Sequence, residues 1–273
     1  MDNRDITVFI NGEDFKAKNG ELMIDVARRN GIFIPTLCHE ESLEPYGACR
    51  MCLVEIKNEG VKKRIVTSCT LHVFDGLSVE TDSGEVLKHR RMLLELYLAQ
   101  APNSSKLKEL ALRYGVSGTR FKQKIKDNDP LNNSCVLCGL CVRVCNEVMG
   151  AGVINFVGRG EKTRVNTPYF EQSELCLGCR ACAEVCPTGA IEFRDEGGVR
   201  VAASWSNTTV ELKKCKVCGK YYAPVKLDKK IDTLYYYRDK NDELKGMCPN
   251  CRRRAIARKM TLIAENEVEK YAR

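Results

Sequence analysis

Long apolar runs are missing from this sequence. No stretch approaches the roughly 18 apolar residues of a membrane helix, so no membrane span is expected. Met1-Asp2-Asn3-Arg4-Asp5 leads into no apolar segment, and no export signal is visible. Tryptophan occurs once, at Trp205, and histidine three times, at His39, His72 and His89. No nucleophile–base pair can be proposed. Gly115-Val116-Ser117-Gly118 and Gly158-Arg159-Gly160 do not fit the strand–loop–helix frame of a dinucleotide fingerprint. Flavin, nucleotide and molybdenum motifs are absent as well, so the chain is expected to have no substrate site of its own.

Cysteine, by contrast, is abundant, with 16 in 273 residues. Disulfides and metal are the two readings of such a count. Disulfide-rich chains are short and secreted, and this one is neither by its pattern. Most of its cysteines sit in Cys-x-x-Cys spacing, too close for ordinary paired bridges, which favours metal ligation. The compartment expected is a reducing one, the cytoplasm. The formal charge of +8 suggests nucleic acid at first sight. Ligating cysteines are thiolates, however. An oxidised cluster with a doubly positive core and four thiolates carries two negative charges, as does a zinc with four thiolates. Four such sites cancel the excess, and the charge-based case for nucleic acid falls.

Asp5–Ile10 alternates in strand fashion, Asn11-Gly12 is a hairpin turn, and Asp14–Ala17 returns as a second strand. Glu21–Arg29 reads as a helix with Leu22, Ile24 (or Met23) and Ala27 inward, stopped by Asn30-Gly31. Strand segments follow at Leu53–Ile56 and Lys63–Val66, around a turn at Asn58-Glu59-Gly60, and at Leu77–Thr81. This is the opening of a β-grasp domain. Residues 84–126 hold no cysteine and repeat apolar residues at helical spacing, Leu87, Met92, Leu93, Leu96 and Tyr97, then Leu107, Leu110, Ala111 and Tyr114. Both stripes are expected to be core or subunit contact. Lys122–Asp129 reads as a polar linker.

The cysteines fall into four sets. Cys38, Cys49, Cys52 and Cys69 have gaps of ten, two and sixteen. Four thiolates around two irons need a tight loop, and Gly47 would let its backbone approach the cluster. Ile34-Pro35-Thr36-Leu37-Cys38, Gly47-Ala48-Cys49-Arg50-Met51-Cys52-Leu53-Val54-Glu55 and Ser68-Cys69-Thr70 resemble the N-terminal two-iron ferredoxin domain of the large iron–sulfur subunit of respiratory complex I. The module also occurs in NAD-linked hydrogenase diaphorase subunits and NAD-dependent formate dehydrogenases. The resemblance spans roughly residues 5–200, including Lys88–Leu96. It implies one [2Fe-2S] cluster on Cys38, Cys49, Cys52 and Cys69. Relatives often carry a histidine-ligated cubane next, with a His-Pro start and three cysteines. Here that stretch reads Ala101-Pro102-Asn103-Ser104-Ser105, so no cluster is expected between residues 85 and 130. The electron path from the two-iron site to the cubanes must then run some other way, with a partner as one candidate.

An internal duplication follows: Cys135-x2-Cys138-x2-Cys141-x3-Cys145, then Cys176-x2-Cys179-x2-Cys182-x3-Cys186-Pro187. It resembles the bacterial two-cluster ferredoxin run, in which the fourth cysteine of each run ligates the other cluster. That resemblance implies one [4Fe-4S] cluster on Cys135, Cys138, Cys141 and Cys186 and another on Cys145, Cys176, Cys179 and Cys182. Asn146 stands where the first run would carry proline, a residue that is not a ligand. The last set, Cys215-x2-Cys218 and Cys248-x2-Cys251, has the two knuckles of a zinc ribbon. Rubredoxin loops are similar, so mononuclear iron stands as the alternative to structural zinc. His39 adjoins Cys38 and is a candidate to tune or replace a ligand, while His72 and His89 read as surface or packing residues. Trp205 is expected to pack against the preceding cluster unit.

The expected architecture is α+β and modular. A β-grasp [2Fe-2S] ferredoxin domain (1–84) precedes a helical connector (85–129), a two-[4Fe-4S] ferredoxin domain (130–205), a zinc-ribbon-like module (206–255) and a helical tail (256–273). The resemblance implies a non-catalytic electron-transfer subunit of an NAD(P)-linked oxidoreductase of hydrogenase, formate dehydrogenase or electron-bifurcating transhydrogenase type. Its partners would be a flavin- and NAD(P)-binding subunit, a catalytic redox subunit and a ferredoxin. Two alternatives stand beside it: a free-standing ferredoxin-like carrier, and a nucleic-acid-binding or regulatory iron–sulfur protein using Arg252, Arg253, Arg254, Arg258 and Lys259. Nucleic acid is not expected.

Overall fold

A computed structural model describes residues 4–58, 63–234 and 242–271. The chain divides into two compact units, Met1–Val165 with Ala181–Glu192, and Asn166–Arg180 with Phe193–Arg273.

The first unit opens with β1 (Asp5–Ile10) and β2 (Glu13–Lys18), paired antiparallel from Asp5↔Lys18 to Ile10↔Glu13. Asn11 and Gly12 make the turn, both with positive φ as a two-residue hairpin of this hand requires. α1 (Met23–Arg29) follows, then β3 (Leu53–Ile56), β4 (Arg64–Thr67) and β5 (Ser78–Glu80). The sheet order is β2-β1-β5-β3-β4. β1 and β5 run parallel, and the other neighbours are antiparallel. Alternation along β1 sends Ile6, Val8 and Ile10 to one side, where Met23, Ile24, Val26 and Ala27 of α1 join them in one core. Full burial of each such aliphatic side chain is worth about 1.5–3 kcal/mol. The turn expected at Asn58-Glu59-Gly60 lies partly outside the described residues, at Glu59 and Gly60. Asn58 itself fastens the neighbouring loop, donating to Gly76 O and accepting from Ser78 N.

α2 (Gly84–Gln100) and α3 (Ser105–Arg113) start on serine caps, Ser83 accepting from Val86 N and Ser104 from Leu107 N. The buried face of α2 is shifted from the stripe expected, of which Leu87, Leu93 and Tyr97 pack against the core as partly buried residues. Val86, Arg90, Leu94, Leu98 and Ala99 point inward, while Met92 and Leu96 are exposed. The cause is Arg90: a charged residue completes the inward row, and a count of apolar residues shifts the face sideways. On α3 the expected Leu107, Leu110 and Ala111 are buried, and Tyr114 follows at the C-cap. α4 (Leu140–Arg143) continues into a wider helical turn at Val144–Val148. β6 (Asn155–Val157) and β7 (Arg164–Asn166) form a two-stranded ribbon, and α5 is Ala181–Glu184.

In the second unit β8 (Phe193–Glu196), β9 (Val199–Ala202), β10 (Thr208–Lys214) and β11 (Tyr221–Pro224) form an antiparallel sheet in the order β11-β10-β9-β8. Trp205, in the turn between β9 and β10, is buried at 1% exposure. α6 (Val225–Leu234) and α7 (Pro249–Tyr271) complete the unit. Among the described residues no helix is long and apolar enough to cross a membrane.

Candidate functional site

Cys38, Cys49, Cys52 and Cys69 are all buried, brought together by the loop after α1, the turn before β3 and the short helical turn after β4. They form two thiol pairs. Cys49 hydrogen-bonds to Cys38, and Cys69 to Cys52. In each pair the accepting sulfur is drawn down, Cys38 to about 6 and Cys52 to about 7, and the donor thiol is pushed up. Backbone N–H groups already face the sulfurs, Cys49 N to Cys38 Sγ at 3.3 Å and Leu37 N to Cys49 Sγ at 3.4 Å. Two pairs of thiols with amide donors suit a pair of irons, each needing two cysteines and a screened negative charge. Gly47 has φ +65°, and a Cβ there would lie 3.1 Å from Thr70 Cγ2. The glycine therefore seats this loop against the residue that follows Cys69, which is how it serves the site.

Arg90 braces the same loop from behind. It is fully buried and donates Nε to Met51 O at 3.1 Å and Nη2 to Leu53 O at 2.7 Å, the carbonyls on either side of Cys52. Nη1 reaches Asp82 Oδ1 at 2.8 Å and Tyr114 Oη at 3.3 Å. His39, suggested by its place beside Cys38, is buried with Nε2 3.5 Å from Asp25 Oδ1 on α1. His72 and His89 are exposed and bond to the carbonyls of Gly20 and Glu85.

Cys135, Cys138, Cys141 and Cys186 belong to the first unit, and the first three feel the charge of Cys186. Burial raises Cys135 to about 11 and Cys138 to about 12, and pushes Cys141 further up. Thiols held protonated in this way release protons when they take a metal. One hydrophobic cluster joins this run to the Cys38, Cys49, Cys52 and Cys69 set. Cys38, Cys49 and Met51 share it with Val136, partly buried Cys138, and Leu94, Leu98, Leu107 and Leu110 of α2 and α3. Tyr97 stands within it, its hydroxyl donating to Cys49 O at 3.0 Å. Its pKa is raised by burial first and then by Cys49, Cys38 and Cys138 together. Sequence periodicity placed Tyr97 on a helix face, but nothing local in the sequence linked it to both ligand runs.

Cys145 and Cys182 belong to the first unit, Cys176 and Cys179 to the second. Within the second unit, the Cys176–Cys179 loop is held by Arg200 of β9, which donates to Gly178 O at 2.7 Å and pairs with Asp195. Gly178 has φ +65°, and a Cβ there would meet Pro224 at 3.1 Å, so β11 packs where only glycine fits.

Cys215 and Cys218 lie on the turn between β10 and β11, and Cys248 and Cys251 at the start of α7. Their sulfurs all fall within 4.8 Å of one another. Cys218 Sγ and Cys248 Sγ are 3.8 Å apart, which matches the edge of about 3.8 Å that a tetrahedron with metal–sulfur bonds of about 2.3 Å requires. Cys248 N donates to Cys215 Sγ at 3.2 Å. Amide donation from Cys218 and Cys248 draws the Cys215 thiol down to about 6. Four thiols in this arrangement fit a single tetrahedral ion.

Residues 3–84 match the family described as 2Fe-2S iron-sulfur cluster binding domain, and residues 134–190 match the 4Fe-4S dicluster domain. Among curated proteins, the chain is 32% identical over 206 residues to an NADH-quinone oxidoreductase subunit of Rhizobium meliloti, covering 68% of this chain and 24% of that protein. It is 33% identical over 205 residues to the NADPH-Fe(3+) oxidoreductase alpha chain of Geobacter sulfurreducens, with the same two coverages. An NADP-reducing hydrogenase subunit of Solidesulfovibrio fructosivorans is 32% identical, over 68% of this chain and 36% of its own length. The chain thus matches about a quarter of the length of the first two relatives and about a third of the other. Among solved structures, a chain of an NAD+-reducing [NiFe]-hydrogenase in the H2-reduced state is similar, with a TM-score of 0.59 and 28% identity. The match covers 70% of this chain and 88% of that one.

Proposed function

The chain is a homologue of the iron–sulfur subunits of NADH- and NADPH-linked oxidoreductases and hydrogenases, and from that kinship we propose that it relays single electrons within such a complex. The exchange would run between a flavin- and NAD(P)-binding subunit and a catalytic subunit or a ferredoxin. Cys38, Cys49, Cys52 and Cys69 would hold a [2Fe-2S] cluster. Cys135, Cys138, Cys141 and Cys186 would hold one [4Fe-4S] cluster, and Cys145, Cys176, Cys179 and Cys182 a second. When bound, such clusters supply reversible one-electron chemistry.

The observation that carries this reading is the shared cluster around Tyr97. The charge of Cys38 raises the Cys138 thiol, behind burial and the nearer cysteines, and Tyr97 feels both. Membership of Cys38, Cys49 and Cys138 in one cluster supports a direct route from the two-iron set to the first cubane run. Leu37, Met51, Leu94 and Leu98 keep water from the thiols, and a dry surrounding sets how much each nearby charge weighs on a redox potential. The fourth set, Cys215, Cys218, Cys248 and Cys251, would hold one structural zinc, with mononuclear iron as the alternative. It ties the β10–β11 turn to α7 and would stabilise a module with little core of its own.

NAD(P)H-driven reduction of the purified complex, followed by electron paramagnetic resonance, tests the relay. Wild type should show both two-iron and cubane signals. Cys52→Ser should abolish the two-iron signal and slow cubane reduction at least tenfold. Unchanged cubane reduction in that variant would contradict a place for the two-iron site in the relay.

A further inference from the structure

α7 is held firmly where it starts and rests on little beyond that. Cys248 N donates to Cys215 Sγ at 3.2 Å, and Arg252 N to the Cys248 carbonyl at 2.9 Å, which fixes the first turn. Lys216 secures the approach to it, N to Gly246 O at 2.9 Å and Nζ to Glu243 O at 2.8 Å. Further along, the helix leans on its unit at every fourth position. Cys251 and Ala255 are half-buried, and Lys259 pairs with Glu243. The opposite face carries Arg253, Ile256, Ala257 and Met260, with Arg254 on its flank, and all five are exposed. Ile256 is 40% and Met260 66% exposed. Helices in folded proteins owe most of their stability to a packed apolar face, and here the apolar face lies open. Its charge is one-sided as well. Arg252, Arg253, Arg254, Arg258 and Lys259 fall within Pro249–Thr261, a stretch with no acidic residue. Among the described residues only Lys259 of these five is paired with a carboxylate, while Arg253 donates to Asn250 Oδ1 at 3.1 Å.

We propose that the outward face of α7 docks into an acidic-rimmed apolar groove on a partner protein of the complex. Ile256 and Met260 enter the groove, and Arg253, Arg254 and Arg258 meet the carboxylates on its rim. The proposal rests on the reading of the chain as a subunit of such a complex. Charge selects the groove, because a run of cations with no acid among them is attracted only to a surface of opposite sign. The apolar pair selects protein over a phosphate backbone, which offers charge but no pocket for isoleucine and methionine. An apolar helix face laid into a groove is a recurrent mode of recognition, and methionine and arginine are enriched at protein interfaces where lysine is depleted. α7 lies outside residues 3–84 and 134–190, which match the cluster-binding families, so this contact is separate from any that the cluster domains make.

Hydrogen exchange read by mass spectrometry on peptides covering residues 252–261, in the native complex and in the full chain alone, is the first test. Exchange at least tenfold slower in the complex is expected, and equal rates would overturn the proposal. Two variants then separate charge from apolar contact, with partner retention on dilution read by mass photometry. Met260→Asp should raise the dissociation constant about tenfold at any salt concentration. Arg253→Gln with Arg254→Gln should raise it about tenfold at low salt and flatten its salt dependence, and Lys at both positions should preserve that dependence. All three residues are exposed, so the fold should hold, with unchanged exchange in β9 and β10 as the check. Wild-type retention in both variants would overturn the proposal. Protection of α7 that disappears on nuclease treatment would overturn it too, as would protection in an assembly holding only copies of this chain. A complex with α7 unprotected removes this proposal alone, whereas a chain that purifies alone removes the subunit reading together with it.

Discussion

Replacing Arg90 with methionine should loosen the two-iron loop by a calculable amount. The side chain is fully buried, and its fork holds the carbonyls of Met51 and Leu53. Methionine fills similar volume but donates nothing, so two buried acceptors lose their partner. Each such loss costs about 1–3 kcal/mol. The Asp82 contact adds little, because that carboxylate is 53% exposed and water can replace the guanidinium. A local cost of about 3 kcal/mol is therefore expected, close to the lower end for breaking a buried charge contact. Since about 1.4 kcal/mol is a factor of ten, amides of β3 should exchange with deuterium about a hundredfold faster. Hydrogen exchange read by mass spectrometry on peptides covering residues 49–56 provides the assay, with β9 and β10 of the other unit as the internal reference. Arg90→Lys should fall between wild type and Arg90→Met, because one ammonium cannot serve both carbonyls and Asp82 as the fork does. Exchange of β3 within threefold of wild type in Arg90→Met would refute the bracing role.

Gly47→Ala should lower two-iron occupancy, because it adds left-handed strain of about 1–2 kcal/mol and a contact 3.1 Å from Thr70. Gly12→Ala has similar strain and open space around its Cβ, so spin counts should fall in the first variant and hold in the second. Cys218→Ser should cost the C-terminal metal and expose α7 to protease while leaving the cluster absorbance in place, as metal analysis and limited proteolysis would show. Asp195 is held below its usual range by Arg200 first and then by Arg180. Its lowered folded pKa gives stability that is present above about 3.9 and lost as the pH falls through the folded value. Trp205, the single tryptophan and buried in the same unit, reports that acid transition by fluorescence, and Asp195→Asn should flatten it.

The grouping of the cysteines was the most legible part of this chain. Spacing alone gathered the cysteines into sets, because a metal needs several thiolates from a short loop and few other demands produce that pattern. The first hairpin and α1 were legible for a similar reason: Asn11-Gly12 and the alternation along β1 are local signals. The face of α2 was not, since Arg90 is buried by hydrogen bonds to carbonyls of a distant loop and counts as polar in any periodic reading. Tyr97 was missed on the same ground. Its partners, Cys49 and Cys138, lie on other segments, and only the folded chain brings them together. The division at residues 165–166 and 180–181 crosses the Cys176 run, a boundary that no change in composition marks.

Metal counting on the anaerobically purified native complex, with identification of the co-purifying chains, tests the central claim most directly. About ten irons and one zinc per copy of this chain, after subtraction of the partners' own metals, are predicted from one two-iron cluster, two cubanes and one four-cysteine ion. An NAD(P)-binding flavoprotein should accompany them. A chain that purifies alone, or with nucleic acid, or with fewer than about six irons, would contradict the account.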